Sequence, residues 1–277
     1  MKQLSIIYLI ICAVLLVGIT LIALSPDPLL DLFPDADTVY ALSTIKVPGS
    51  LAGTENGSAP LYFFPNNGEV DECAKYYART SEYTLWMTSE GLVFDSIKKA
   101  GGEDNDTPRP SLPEEDLSRL LFLNANKKPD IIPLDITRVK DVSASLALLY
   151  KDIYTNIDLK ISGCECQIEY TWIVKPGGNP GDIRFEYKNV RTTGIDNRWD
   201  LSIETQYGKL IHKKPVSYQL IGGEKIDINS HYEPIKNNTY GFKIKAYNSD
   251  YALIIDPLVS FELSANSLPL GAGINDR

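Results

Sequence analysis

Between residues 61 and 257 the chain repeats one texture. Short runs of aromatic and β-branched residues, roughly 4–8 long, are broken about every 8–12 residues by Gly, Pro, Asn, Asp or Ser. Such runs read as strands at 75–80, 83–88, 91–97, 117–123, 145–150, 157–161, 167–174, 183–187, 200–205, 209–212, 216–220, 224–229, 240–245 and 252–255. Gly222-Gly223 is a two-residue hairpin signal, and Lys175-Pro176-Gly177-Gly178-Asn179-Pro180 breaks the ladder after one strand. The segment 162–166 reads as a turn between two paired strands. No stretch after residue 30 keeps a helical period, and no internal repeat of propeller or solenoid length is present. The expectation is an all-β fold: an antiparallel sandwich or barrel-like domain of about a dozen strands.

The segment ahead of that domain has a different character. Residues 4–24 carry no charge, Lys2 precedes them, and Asp27 and Asp31 follow. As a helix this run is about 32 Å long, close to the ~30 Å of a bilayer core. The charge asymmetry puts the N-terminus inside and the remainder outside. Its length, and Pro26 after Ala23-Leu24-Ser25, favour a transmembrane anchor; a cleaved signal peptide is the other reading. Cys12 lacks the context of a lipidated cysteine and reads as an apolar filler. Residues 26–60, rich in Pro and Gly, read as a linker. The organisation expected is therefore an anchor or signal at 1–25, a linker at 26–60, a β domain at 61–257 and a tail at 258–277, with the domain extracytoplasmic, either membrane-anchored or secreted.

Charge and residue supply narrow the function classes. The net charge of −9 disfavours nucleic acid, which needs a basic face. Two histidines leave little room for histidine-rich metal sites or several triads. No Gly-x-Ser-x-Gly elbow or phosphate-loop frame occurs. Asp152 and Asp158 are the candidate acid/base pair for glycoside hydrolysis, weighed against turn residues that satisfy backbone groups. Glu103-Asp104-Asn105-Asp106 offers oxygen ligands without the spacing of a calcium loop. His212 and His231 read as surface or edge residues. Trp86 and Trp172, within apolar strands, read as core; Trp199, beside a polar turn, is the candidate for stacking on a ligand.

Three cysteines lie outside the N-terminal run. In an oxidising compartment Cys73 can bond to Cys164 or Cys166, whereas those two, one residue apart and about 6.7 Å along a strand, are poorly placed for each other. Asn56, Asn105 and Asn237 stand in glycosylation sequons. No cofactor or metal site is expected.

Several motifs are familiar in order and spacing. Phe64-Pro65-Asn66-Asn67-Gly68, Tyr76-Tyr77-Ala78-Arg79-Thr80, Tyr83-Thr84-Leu85-Trp86-Met87-Thr88 and Gly91-Leu92-Val93-Phe94 resemble the start of the N-terminal domain of exported proteins with seven-bladed β-propeller (SBBP-type) repeats. The resemblance continues at 150–159, 169–177, 207–208, 214–219, 238–242 and 253–257. It implies an exported, non-enzymatic β domain of undefined role and supplies no catalytic residue. Residues 123–145 depart from the pattern, and Gly271-Ala272-Gly273-Ile274-Asn275-Asp276 resembles the opening of a propeller repeat, so the chain reads as the domain without its propeller. The expected function is a cell-surface interaction or structural module whose partner is an envelope protein or surface polysaccharide. The alternatives are a secreted carbohydrate-binding or carbohydrate-active domain and a folding or export companion of a lost propeller.

Overall fold

A computed structural model describes residues 59–80, 83–96, 117–164, 167–206 and 208–263. The first nine strands are β1 (Phe64–Pro65), β2 (Ala74–Arg79), β3 (Tyr83–Thr88), β4 (Gly91–Ser96), β5 (Ser118–Phe122), β6 (Asp130–Val139), β7 (Val142–Tyr154), β8 (Ile157–Cys164) and β9 (Gln167–Val174). After a 3-10 turn at Pro180–Asp182 come β10 (Phe185–Lys188), β11 (Thr192–Ile195), β12 (Leu201–Glu204), β13 (Gly208–His212) and β14 (Val216–Ile221). The last five are β15 (Glu224–Ile228), β16 (Ser230–Lys236), β17 (Thr239–Ile244), β18 (Leu253–Asp256) and β19 (Leu258–Leu263).

The strands form two antiparallel sheets. The smaller runs β1-β2-β3-β4-β5-β10-β17-β16; the larger runs β11-β12-β13-β19-β9-β18-β14-β15, with β8, β7 and β6 added beside β9. Neither closes into a barrel, so the fold is the sandwich of the two forms expected. Alternation drives it: Ser118, Leu120 and Phe122 of β5 are buried while Arg119 and Leu121 between them are less so. Across the gap the facing rings interlock, Phe122 edge-on to Trp172 at 5.7 Å and Trp172 edge-on to Phe242 at 6.4 Å. Trp172 is core as expected. Trp86 is also buried, but in a separate cluster with Ala74, Val93 and Leu117.

Two turns show why the residues suit the pairing. β6 and β7 join through Lys140 and Asp141, both left-handed (φ 47° and 67°), and β14 and β15 through Gly222 and Gly223 (φ 59° and 84°). Gly91 is required for another reason: a Cβ there would sit 1.9 Å from the Leu120 carbonyl oxygen of the neighbouring strand.

Several boundaries differ from the sequence expectation. β8 runs through Ser162 and Gly163 to Cys164, which pairs with Gln167, so the connection is shorter than a 162–166 turn. Past Pro257 the chain continues beside β9 as β19, so the sheet extends into the segment read as a tail. β1, β6, β11, β16 and β19 are strands the pattern did not mark. Near the start of the described residues Leu61 and Phe63 are buried, with the Leu61 N–H bonded to Gly163 O at 3.0 Å. The apolar run 4–24 lies outside the described residues, among which no helix is long and apolar enough to cross a membrane.

Candidate ligand-binding site

Between the sheets lies a small void of about 10 Å³, about the room of one water, lined by residues including Tyr170, Trp172, His212 and Tyr232. His212 corrects a sequence expectation: it is buried in the core, not at the surface or an edge. β13 lies inside the larger sheet, and its alternation puts His212 on the same face as buried Leu210. Its Nε2 is hydrogen-bonded to the Tyr187 hydroxyl, and burial pushes its pKa down to about 3. It is a neutral core residue at physiological pH, unsuited to shuttling protons with solvent. The Tyr170 hydroxyl in the same cluster is buried with no hydrogen-bond partner among the described residues.

Three loops border an open cleft of about 800 Å³. They are Asn124–Asn126 after β5, Asp152–Asn156 around the β7–β8 turn, and Asp182–Arg184 before β10, all contributing lining residues. Backbone bonds tie them together: Asn126 N–H to Ile153 O at 2.8 Å and Leu123 N–H to Arg184 O at 2.8 Å. The Tyr154 hydroxyl lies 2.9 Å from Arg184 O and 3.2 Å from Leu123 O, so one side chain pins all three. Burial pushes its phenol up to about 12, and it stays a donor.

Beneath this cleft the two sequence-predicted carboxylates meet. Asp158 is fully buried on β8, and its Oδ1 accepts the Asp152 N–H at 2.7 Å. Lys175, just past β9, reaches Asp158 Oδ1 at 2.9 Å and Asp152 Oδ1 at 2.6 Å. Burial works to lower the ammonium's pKa, but hydrogen bonds to both carboxylates outweigh it and raise the pKa. An ammonium locked between the two acids ties up one oxygen of each, and Asp158 Oδ2 has no partner among the described residues. The pair serves as an internal brace for the bulge at Asp152 (φ 46°), where the β7–β8 register shifts.

Trp199 sits elsewhere, in the turn between β11 and β12. Asp196 builds that turn: its Oδ1 accepts the N–H groups of Arg198 and Asp200 at 2.9 and 3.0 Å, and its carbonyl accepts the Trp199 N–H at 3.0 Å. The result holds Trp199 in the left-handed region, φ 67°, rare for a bulky residue. The indole is 46 % exposed and packs on the ring of His231, 4.3 Å between centroids. His231, on edge strand β16, is where an edge histidine was expected.

A further carboxyl pair lies on β9 and β18, which the sequence reading did not single out. Burial and then the neighbouring Glu169 charge raise Asp256 to about 7, against the Thr171 hydroxyl bond (3.2 Å) and the Lys160 charge. Lys160 is itself buried. Register alone could have found the row, since Lys160 pairs with Thr171 and Ser162 with Glu169.

The remaining sequence candidates scatter. Cys73 is an exposed free thiol before β2, its pKa pushed up to about 11 by partial burial and by Asp71. Cys164 ends β8, and Cys166 lies outside the described residues, as do residues 103–106, Asn56 and Asn105. Asn237 is exposed in the turn between β16 and β17. Among the described residues no group of three His, Cys, Asp or Glu is placed to hold a metal.

A family model described as a domain of unknown function, DUF7948, matches residues 63–258. No curated protein and no solved structure matches the chain.

Proposed function

The chain belongs to the DUF7948 family of domains of unknown function, and from that premise we propose that it is a non-enzymatic interaction module working outside the cytoplasmic membrane. The observation that carries this reading is Trp199: an indole 46 % exposed, held at φ 67° by a hydrogen-bonded turn and seated on His231. A backbone strain of order 1–3 kcal/mol retained under an exposed aromatic is the mark of a residue kept for contact. Trp is also the residue type most enriched where binding energy concentrates. The charge-free run 4–24, preceded by Lys2, supports the location. An envelope protein is the partner class this reading favours.

A second reading, a carbohydrate-binding domain, draws on the same ring, because an open indole face also suits a sugar ring. The link to propeller-bearing proteins belongs with these proposals and rests on the motifs in the sequence; the coding sequence downstream tests it.

The test is capture of detergent-solubilised envelope proteins of its host cell by the immobilised full-length chain, where the apolar run 4–24 has no bilayer to enter, comparing the natural protein with Trp199→Ala. The proposal expects bound protein to fall at least tenfold with an unchanged circular dichroism spectrum. Equal binding by the two proteins rejects the role of Trp199.

A further inference from the structure

We propose that the three-loop cleft is a second ligand site, taking a neutral, polyhydroxylated ligand of the oligosaccharide class, separate from Trp199. This rests on the carbohydrate reading only for the ligand class; the site is argued from the cleft itself.

Asn124, Asp152 and Asn156 are left-handed, at φ 57°, 46° and 57°, as Asn and Asp readily are in tight turns, so the loop backbones take defined turns there. A wholly buried carboxylate lies beneath, with one oxygen unpartnered among the described residues. A buried ion pair is weak evidence for stability, since apolar residues of similar volume often serve as well. What the brace does provide is position: Asp158 fixes the Asp152 N–H and, through Lys175, the Asp152 carboxylate. The other walls are locked by Tyr154. A cleft of about 800 Å³ falls in the size range of ligand pockets, roughly 300–1,000 Å³. Its place on loops carried by a rigid sandwich is where binding residues concentrate.

The lining chemistry selects the ligand. The guanidinium of Arg184 and the side-chain amides of Asn124 and Asn156 make no hydrogen bond or ion pair with other described residues, while the carboxylates of Asp152 and Asp182 lie in the same lining. Amides donate and accept, guanidinium only donates, and carboxylate only accepts. Together they match vicinal hydroxyls, each of which gives one proton and takes another. An anion would meet two carboxylates against one unpaired guanidinium. A cation would compete with the Lys175 ammonium for Asp152. Neither charge suits the cleft; a neutral polyol does.

The experiment uses the full-length chain and a panel of cello-, xylo-, manno-, galacto- and chito-hexaose, with polygalacturonate as the anionic control. Affinities are measured by calorimetry for the natural protein, Arg184→Ala, Asn156→Gly and Trp199→Ala. Glycine keeps the left-handed backbone at 156 while removing the amide. The proposal expects at least one neutral hexaose to bind, with affinity lowered tenfold or more in both cleft variants and less than twofold in Trp199→Ala. Binding lost in Trp199→Ala but kept in the cleft variants overturns this site and leaves the carbohydrate reading standing at Trp199. Binding of polygalacturonate alone overturns the ligand class. No binding by any member at millimolar concentration overturns both the site and the carbohydrate reading.

Discussion

Lys175 Nζ stands 2.9 Å from Asp158 Oδ1, and that carboxylate has no exposure to solvent. The partner acid Asp152, 2.6 Å from the same ammonium, is half exposed. The two contacts therefore differ in kind: one desolvated, one open to screening.

Removing the ammonium should accordingly cost more than removing the buried charge. Lys175→Met strands a buried carboxylate and is expected to destabilise by about 3–5 kcal/mol. Asp158→Asn keeps an acceptor for the Asp152 N–H and leaves Lys175 its exposed partner, for an expected loss of about 1–2 kcal/mol. The double variant should recover part of the first loss. Urea unfolding midpoints measure all three, and an additive double variant would contradict the brace.

His212 makes stability fall in acid. Its folded pKa is about 3 and the ordinary value is 6.5. Between those values the unfolded chain binds the proton and the folded chain does not. Stability is thus full above about pH 6.5 and declines, by about 1.4 kcal/mol per pH unit within the window, as pH falls towards 3. His212→Gln should flatten this slope in a series of unfolding curves; an unchanged slope would assign it to other groups.

Asp256 acts in the opposite direction. Its folded pKa is raised, so the folded state holds a proton that the unfolded state has released, and its contribution fades as pH rises from about 4 through 7. Asp256→Asn, which keeps an acceptor for Thr171, should be stabilising at pH 8, on the order of 2 kcal/mol, and near neutral at pH 4. Thermal unfolding at the two pH values decides it: a variant destabilised at pH 8 would show the charged form to be the favoured one.

Tyr170→Phe should not weaken the core as polar-to-apolar changes in paired tyrosines do. The hydroxyl has no partner among the described residues, and an unsatisfied buried hydroxyl is a liability. The variant is expected to match the natural protein or exceed it by up to about 1 kcal/mol in urea unfolding. A loss above 1 kcal/mol would mean that the hydroxyl is bonded in solution.

The sandwich was legible because strand alternation is a local signal. Tyr83–Thr88 and Gln167–Val174 stand in the sequence with the bounds they have in the fold. The strands that escaped are those whose residues make sense only at their position in a sheet. β6 contains Pro133 and β16 contains Pro234; among the described residues each strand pairs on one side only, and an edge strand tolerates proline because an N–H missing from its open side costs no ladder bond. β19 follows Pro257, which reads as a stop until β9 is seen to pair on both sides of it.

The candidate site was half legible. Trp199 beside its polar turn was visible, and so were Asp152 and Asp158. Their brace was not, because Lys175 lies 17 residues beyond Asp158 and meets it only once β9 has paired back on β8. The burial of His212 was encoded in its parity with Leu210, a signal outweighed by the usual exposure of histidine.

The central claim is that Trp199 is the contact residue of an interaction module, and the chain offers a direct optical test. It has three tryptophans, of which Trp86 and Trp172 are 8 % and 3 % exposed against 46 % for Trp199. Iodide should therefore quench one emitting fraction, that of Trp199. The decisive measurement is iodide-quenchable emission of the full-length protein less that of Trp199→Phe, each titrated with the same host-cell envelopes so that the envelopes' own tryptophan emission cancels. Loss of the quenchable fraction at saturation is the predicted result; full quenching of Trp199 on envelope-bound protein would contradict the account.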